Sequence, residues 1–298
     1  MARGAPGFPG PEENRHRECV KLAPRNRRVI HTAALNVAVA GYIGATGFAL
    51  AYLVQRDELI YRLGSLLTLA AWIAHTVALV VLGATVGRPP IGSLAEAVSV
   101  AVWVVVLLEL WVERQHGVKA LGAFVLPVVL TLILSTVARP LAFGSIGRAL
   151  TSAWLVTHIA LALVGVAAFV LNFAGAVMYL LQERQLRSKR PGRFYYRLPP
   201  LETLDRLSYR TLALGFPFLT TGLLMGAVWA RTAWGTLFTF DPLVALSFVA
   251  WAIYAATLAG RAAAGWHGRR AAYFAIVGFA ALVLTLGAGL FLPGRHGS

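Results

Sequence analysis

The chain has 298 residues, 58% of them hydrophobic and 13% charged, with a formal net charge of +15 and a mean hydropathy of +0.69. Apolar runs of about 20 residues, enough to cross a hydrocarbon core about 30 Å thick, recur along everything but the N-terminal tail, which excludes a soluble globular domain. The runs are continuous and lack period-two alternation, so a β-barrel is excluded as well. What remains is an all-α, polytopic integral membrane protein with about eight transmembrane helices.

The excess of Lys and Arg lies in tails and loops, where anionic lipid and the insertion machinery act on it, so the partner it points to is the lipid bilayer and not nucleic acid. Cys19 is the single cysteine, which excludes an intrachain disulfide and a CxxC redox pair. There is no Ser-His-Asp arrangement, P-loop, HExxH or GxGxxG after a strand, so no soluble catalytic constellation is expected.

Residues 1–30 mix Arg and Lys with Gly, Pro and Glu and lack apolar periodicity, which predicts a disordered basic tail. The tail is no signal peptide, because its basic region is too long and the apolar run after it is of full spanning length. Residues 31–298 then form one transmembrane domain. The predicted spans are 31–54, 65–86, 94–112, 118–137, 150–181, 211–229, 243–260 and 271–292. The fifth is about 48 Å long and must tilt or project from the bilayer. Pro127 and Pro217 fall inside spans, where proline kinks a helix.

Lys and Arg concentrate in the loops after spans 1, 3, 5 and 7, which should therefore be cytoplasmic, with both termini outside the cell membrane. The cations of the tail argue the opposite. Within the basic segment 182–210, leucines recur every third residue from Leu201 to Leu207, which suggests either a helix lying on the membrane surface or a plain linker.

Ionisable residues inside apolar spans are costly and are functional candidates by default. His75 lies about 15 Å into the second span, near the midplane. It is either a ligand or an imidazole hydrogen-bonded to a neighbouring helix. Glu96 opens the third span, where a carboxylate complements the helix dipole. Glu109 and Glu113 lie near the end of that span, from which they are expected to snorkel to the interface.

The connection between the sixth and seventh spans is crowded with the aromatics Trp229, Trp234, Phe238 and Phe240, set among Arg231, Gly235, Asp241 and Pro242. Such a stretch can be an interfacial aromatic belt, or a stacking surface for a flat apolar ligand with Arg231 as its cation and Asp241-Pro242 starting the next helix. With eight spans, the start of the fifth, this connection and the C-terminal tail share one face, so His158 and His296 flank the aromatics. Two imidazoles beside a stacking surface are what bis-histidine ligation of a haem iron requires. A membrane scaffold or transporter subunit that binds no haem is the alternative from another class.

Several segments together resemble the cytochrome c assembly family with the tryptophan-rich WWD-type loop, in its CcsA/ResC and HemX-like branch. They are Ser-Ala-Trp-Leu-Val-Thr-His ending at His158, Leu-Glu-Thr-Leu-Asp-Arg-Leu-Ser-Tyr ending at Tyr209, Trp234-Gly235 to Asp241-Pro242, Gly-Trp-His-Gly-Arg-Arg-Ala-Ala-Tyr ending at Tyr273, and Leu-Pro-Gly-Arg-His ending at His296. A weaker likeness covers Pro90 to Glu96.

The resemblance implies that loop 230–242 holds haem, taken as haem b, at the outer face with His158 and His296 as its iron ligands. It further implies delivery to apocytochrome c, as a subunit of a haem-attaching complex with a CcsB/ResB-like membrane partner. A HemX-like protein that binds haem without attaching it is the other reading. The chain departs from the family pattern where Phe238 and Phe240 replace tryptophans and Leu243-Val244 replace a Lys-Glu pair. It also has Ala259 where synthase members carry a histidine, a place His75 could fill.

Overall fold

The computed structural model describes residues 11–137, 153–188, 196–234 and 242–291. They form eight α-helices: α1 (Pro11–Gln55), α2 (Glu58–Val86), α3 (Leu94–His116), α4 (Gly122–Val137), α5 (Ala153–Arg187), α6 (Leu201–Trp234), α7 (Pro242–Ala263) and α8 (Arg269–Phe291). No strand occurs among the described residues. Seven helices are long and apolar enough to cross a membrane, and the protein is a multi-pass membrane protein.

Three differences from the expected spans bear on the packing. α1 begins at Pro11 rather than at 31, because proline loses nothing at a first helical position and the Glu, Arg, Lys and Leu that follow favour helix; the membrane span it contains lies within Asn26–Gln55. α4 has 16 residues and covers only about 24 Å, since residues 118–121 form a turn, with Leu121 N–H bonded to the Val118 carbonyl at 3.0 Å. The segment from Leu201 to Leu207 is neither a surface helix nor a linker. It is the start of the 34-residue α6, and its period-three leucines bury Leu204 and Leu207 in the core.

The ends of α3 show why it starts and stops where it does. Ser93 caps its N-terminus, accepting the Glu96 N–H at 3.2 Å, and Glu96 reaches back to accept the Gly92 N–H at 2.7 Å, a reciprocal cap. Arg88 completes the charge, 2.8 Å from Glu96. At the other end Gly117 takes φ 64°, the left-handed cap that glycine adopts without strain.

α1 to α4 bury Tyr42, Val102, Val105, Leu121, Val129 and Ile133 against one side of α5, through Val170, Leu171, Ala174 and Met178. The other side of α5 meets α6 to α8 around Phe169, Leu212, Leu219, Tyr254 and Leu282. α5 is thus the helix shared by both halves. It is antiparallel to α6, as the contacts of Gly165 with Leu219 and of Ala162 with Gly222 show, with backbones so close that a Cβ on Gly215 would stand 3.1 Å from Ala168 Cβ. Small residues permit this approach where lipid supplies no hydrophobic drive between helices.

One end of the second half is fastened by polar groups. Asp205, in the first turns of α6, accepts from Arg261 of α7 at 2.8 Å and from the Gly268 N–H in the α7–α8 turn at 3.0 Å. Arg261 also lies over the Tyr209 ring, 5.1 Å from its centroid.

Candidate functional site

His158 sits in the second turn of α5 and leans on α6, where its Nδ1 is 2.5 Å from the Gly222 carbonyl oxygen. A carbonyl can only accept, so Nδ1 carries the proton and donates, and the imidazole lone pair is on Nε2. That division of labour is the one in which a backbone acceptor orients a metal-ligating histidine. The ring stands against Gly226, where a Cβ would stand 2.7 Å from His158 Cε1 and 2.9 Å from Nδ1. Gly222 and Gly226 thus make the seat of this histidine, one through its carbonyl and the other by lacking a side chain. They form a Gly-x-x-x-Gly pair, a spacing legible in the sequence as a close-packing face, but the partner it receives is set by the α5–α6 register.

From Gly226, α6 runs on for two more turns. Arg231 is exposed on its last turns, and the backbones of Trp229 and Trp234 lie in the same segment. α7 opens at Pro242. α8 runs antiparallel to α5, with Phe173 stacked on Phe279 at 4.2 Å and Tyr179 against Gly268. The start of α5, the end of α6, the start of α7 and the end of α8 are therefore at one end of the bundle, an arrangement set by contacts among α5 to α8 alone. Gly235, Phe238, Phe240, Asp241 and His296 lie outside the described residues.

His75 is elsewhere, fully buried between α1, α2 and α3. Its Nε2 is 2.9 Å from Ser99 Oγ and its Nδ1 3.3 Å from the Tyr42 hydroxyl, whose ring meets the imidazole edge-on. Both nitrogens are thus engaged in tying three helices together, and ligation through either would require one of these bonds to break. Ala259 is exposed on α7. Glu109 and Glu113 do not snorkel: they are 1% and 6% exposed, because the face of α3 that bears them is covered by α1 and α4.

A family model described as "Cytochrome C assembly protein" matches residues 91–294, from just before α3 to beyond the end of α8. The chain belongs to the cytochrome c assembly family. Among similar members, the cytochrome c biogenesis protein CcsA of Guillardia theta is 28% identical over 274 residues, covering 85% of this chain and 91% of that protein. CcsA of Prochlorococcus marinus (strain MIT 9515) is 34% identical over 234 residues, covering 70% and 75%. The solved structure titled cytochrome c heme lyase CcmF shares the fold at a TM-score of 0.68 over 87% of this chain, with 17% identity, and this chain spans 46% of that one. α1 and α2 precede the segment matched by the family model, so in this cytochrome c assembly protein His158 and its glycine seat belong to the family part and His75 to the part upstream.

Proposed function

We propose that this cytochrome c assembly protein handles haem during cytochrome c maturation, holding it where α5 begins and α6 ends and relaying it to apocytochrome c with a CcsB/ResB-like partner. The observation that carries the proposal is the Nδ1–H bond from His158 to the Gly222 carbonyl, which puts the basic nitrogen of the ring, the one a haem iron would take, on Nε2. Haem is the cargo. His158 and His296 are assigned as axial ligands, Trp229, Trp234, Phe238 and Phe240 as stacking surface, Arg231 as the cation for a propionate, and Gly235, Asp241 and Pro242 as the frame of the loop. His75 is assigned a second ligating role only on release from Tyr42 or Ser99.

Phe at positions 238 and 240 keeps a stacking face but lacks the indole N–H donor. That difference favours, as a second reading, a HemX-like protein that binds haem without attaching it. The absorption spectrum of the purified protein tests both readings against a haem-free scaffold: a Soret band with low-spin α and β bands is expected, and a colourless protein after expression with ample haem would sink them. Covalent transfer to an apocytochrome c bearing CxxCH, with the CcsB-like partner present, separates the first reading from the second.

The aromatic loop and both termini are assigned to the outer face from the bias of Lys and Arg in the loops. With Cys19 removed, Thr232→Cys is expected to react with a membrane-impermeant maleimide on intact cells. Labelling confined to inverted vesicles would reverse the orientation.

A further inference from the structure

A stripe of α3 at spacings of three or four, Glu96, Ser99, Val102, Val106, Glu109 and Glu113, is buried along its whole length. Its polar members differ in one respect. Glu96 has Arg88 and Ser99 has His75, whereas neither Glu109 nor Glu113 forms an ion pair among the described residues, and Glu109 Oε2 and Glu113 Oε1 are buried without a hydrogen-bond partner. Room is made for the pair by Gly122 at the start of α4, where a Cβ would stand 3.1 Å from Glu109 Oε1. Glu113 follows Glu109 by one helical turn on the same buried face of α3, and the Tyr61 hydroxyl of α2 interacts with Glu113.

Two carboxyl groups in contact inside an apolar bundle do not both stay ionised, because like charges repel and neither is solvated; a shared proton lets one donate to the other. We infer that Glu109 and Glu113 form an intramembrane proton-binding site that exchanges with the membrane face bearing Glu58 and Lys119. Tyr61 is the link. Lys119 Nζ lies over its ring, 4.9 Å from the centroid, and 2.7 Å from Glu58 Oε2, where both side chains reach solvent. A proton leaving Glu113 passes to the Tyr61 oxygen as the phenol gives up its own proton to Glu58 or water; no electron moves, and the pair is left with one more negative charge.

The other elements packed around the site offer no competing cation. α1 supplies Tyr42 and Tyr52, whose ring is 5.5 Å from that of Tyr61, Arg62 of α2 is exposed and paired with Glu58 at 3.5 Å, α4 has no titratable residue, and on α5 the acid Glu183 is held by Arg187 at 2.8 Å. On α3 itself, His116 receives a hydrogen bond from Arg210 at 2.9 Å, and Arg114 is exposed. A metal cation is disfavoured as the ligand, since no group of three His, Cys, Asp or Glu able to hold one occurs among the described residues. The site lies among α1 to α4 and faces the first turns of α6, where Arg210 meets His116, whereas the glycine seat is at the other end of α6, so its test is separable from that of the haem proposal.

Apolar carbodiimides add to protonated carboxyl groups within membranes. The full-length protein in lipid nanodiscs, treated with dicyclohexylcarbodiimide and mapped by peptide mass, is expected to carry the adduct on Glu109 or Glu113 at neutral pH. Its yield should fall about tenfold per pH unit above the titration of the pair, as protonation of a single group does. The near-isosteric pair of substitutions E109Q and E113Q should remove the adduct together with an infrared carboxylic-acid band that shifts in D2O, and Tyr61→Phe should slow that shift without removing the band. Wild-type protein with neither adduct nor band would overturn the inference. So would suppression of the adduct by sodium or potassium chloride at constant pH, which would mark a metal-cation site instead.

Discussion

His158→Ala is expected to convert haem bound to this protein from six-coordinate, low-spin to five-coordinate, or to remove it altogether, and free imidazole should restore the low-spin spectrum by entering the vacated space. Gly226→Ala is the more discriminating companion. Its new Cβ would stand 2.7 Å from His158 Cε1, so the ring must turn away from Gly222 and lose the hydrogen bond that orients it. Loss of such an orienting partner typically lowers affinity about 10–100-fold. Gly222→Ala keeps its carbonyl and brings the added Cβ no nearer than 3.3 Å to Ala162 N, so it should weaken haem retention less. Haem titration of the three variants, read at the Soret band, checks the order. Parental Soret and α/β bands in His158→Ala would end the ligand assignment.

Arg261→Ala should destabilise the bundle by about 3–5 kcal/mol, the range for breaking one partner out of a buried ion pair. The Arg261 side chain is 5% exposed and that of Asp205 19%, so the carboxylate left behind is poorly solvated. Asp205→Ala should be at least as damaging, because it also strands the Gly268 N–H. Replacing both with apolar residues of similar volume should recover much of the loss, since no uncompensated charge then remains buried. Thermal unfolding in detergent, followed by size exclusion, gives the comparison; equal midpoints for Arg261→Ala and the parent would mean the pair is not holding α6, α7 and the α7–α8 turn together.

The same pair shows what local pattern can and cannot carry. The segments around Asp205 and Gly268 stand out in the sequence as family-like, yet nothing in either says that they touch. Contact between them depends on α6 and α7 being antiparallel neighbours. The leucines from Leu201 to Leu207 have a helical period that fits a surface helix as well as the first turns of a long span, and the burial of Leu204 and Leu207 against the bundle decides between the two. Glu109 and Glu113 were expected to reach water because they are near a helix end, but distance along one helix does not reveal that α1 and α4 cover that face.

The sequence by itself determined the membrane class, the number and order of the helices, the family, and the candidate standing of His158, because continuous apolar runs and short motifs are local properties of the chain. Only the tertiary structure decided that His158 Nδ1 donates to Gly222, that Gly226 is its seat, that His75 is bonded at both nitrogens, and that two glutamates are enclosed without a cation. Each of these depends on which face of one helix meets which face of another. That register is fixed by close packing of small residues such as Gly165, Gly215 and Gly222, whose contacts join positions tens of residues apart, so that even a legible Gly-x-x-x-Gly spacing does not name the face it meets.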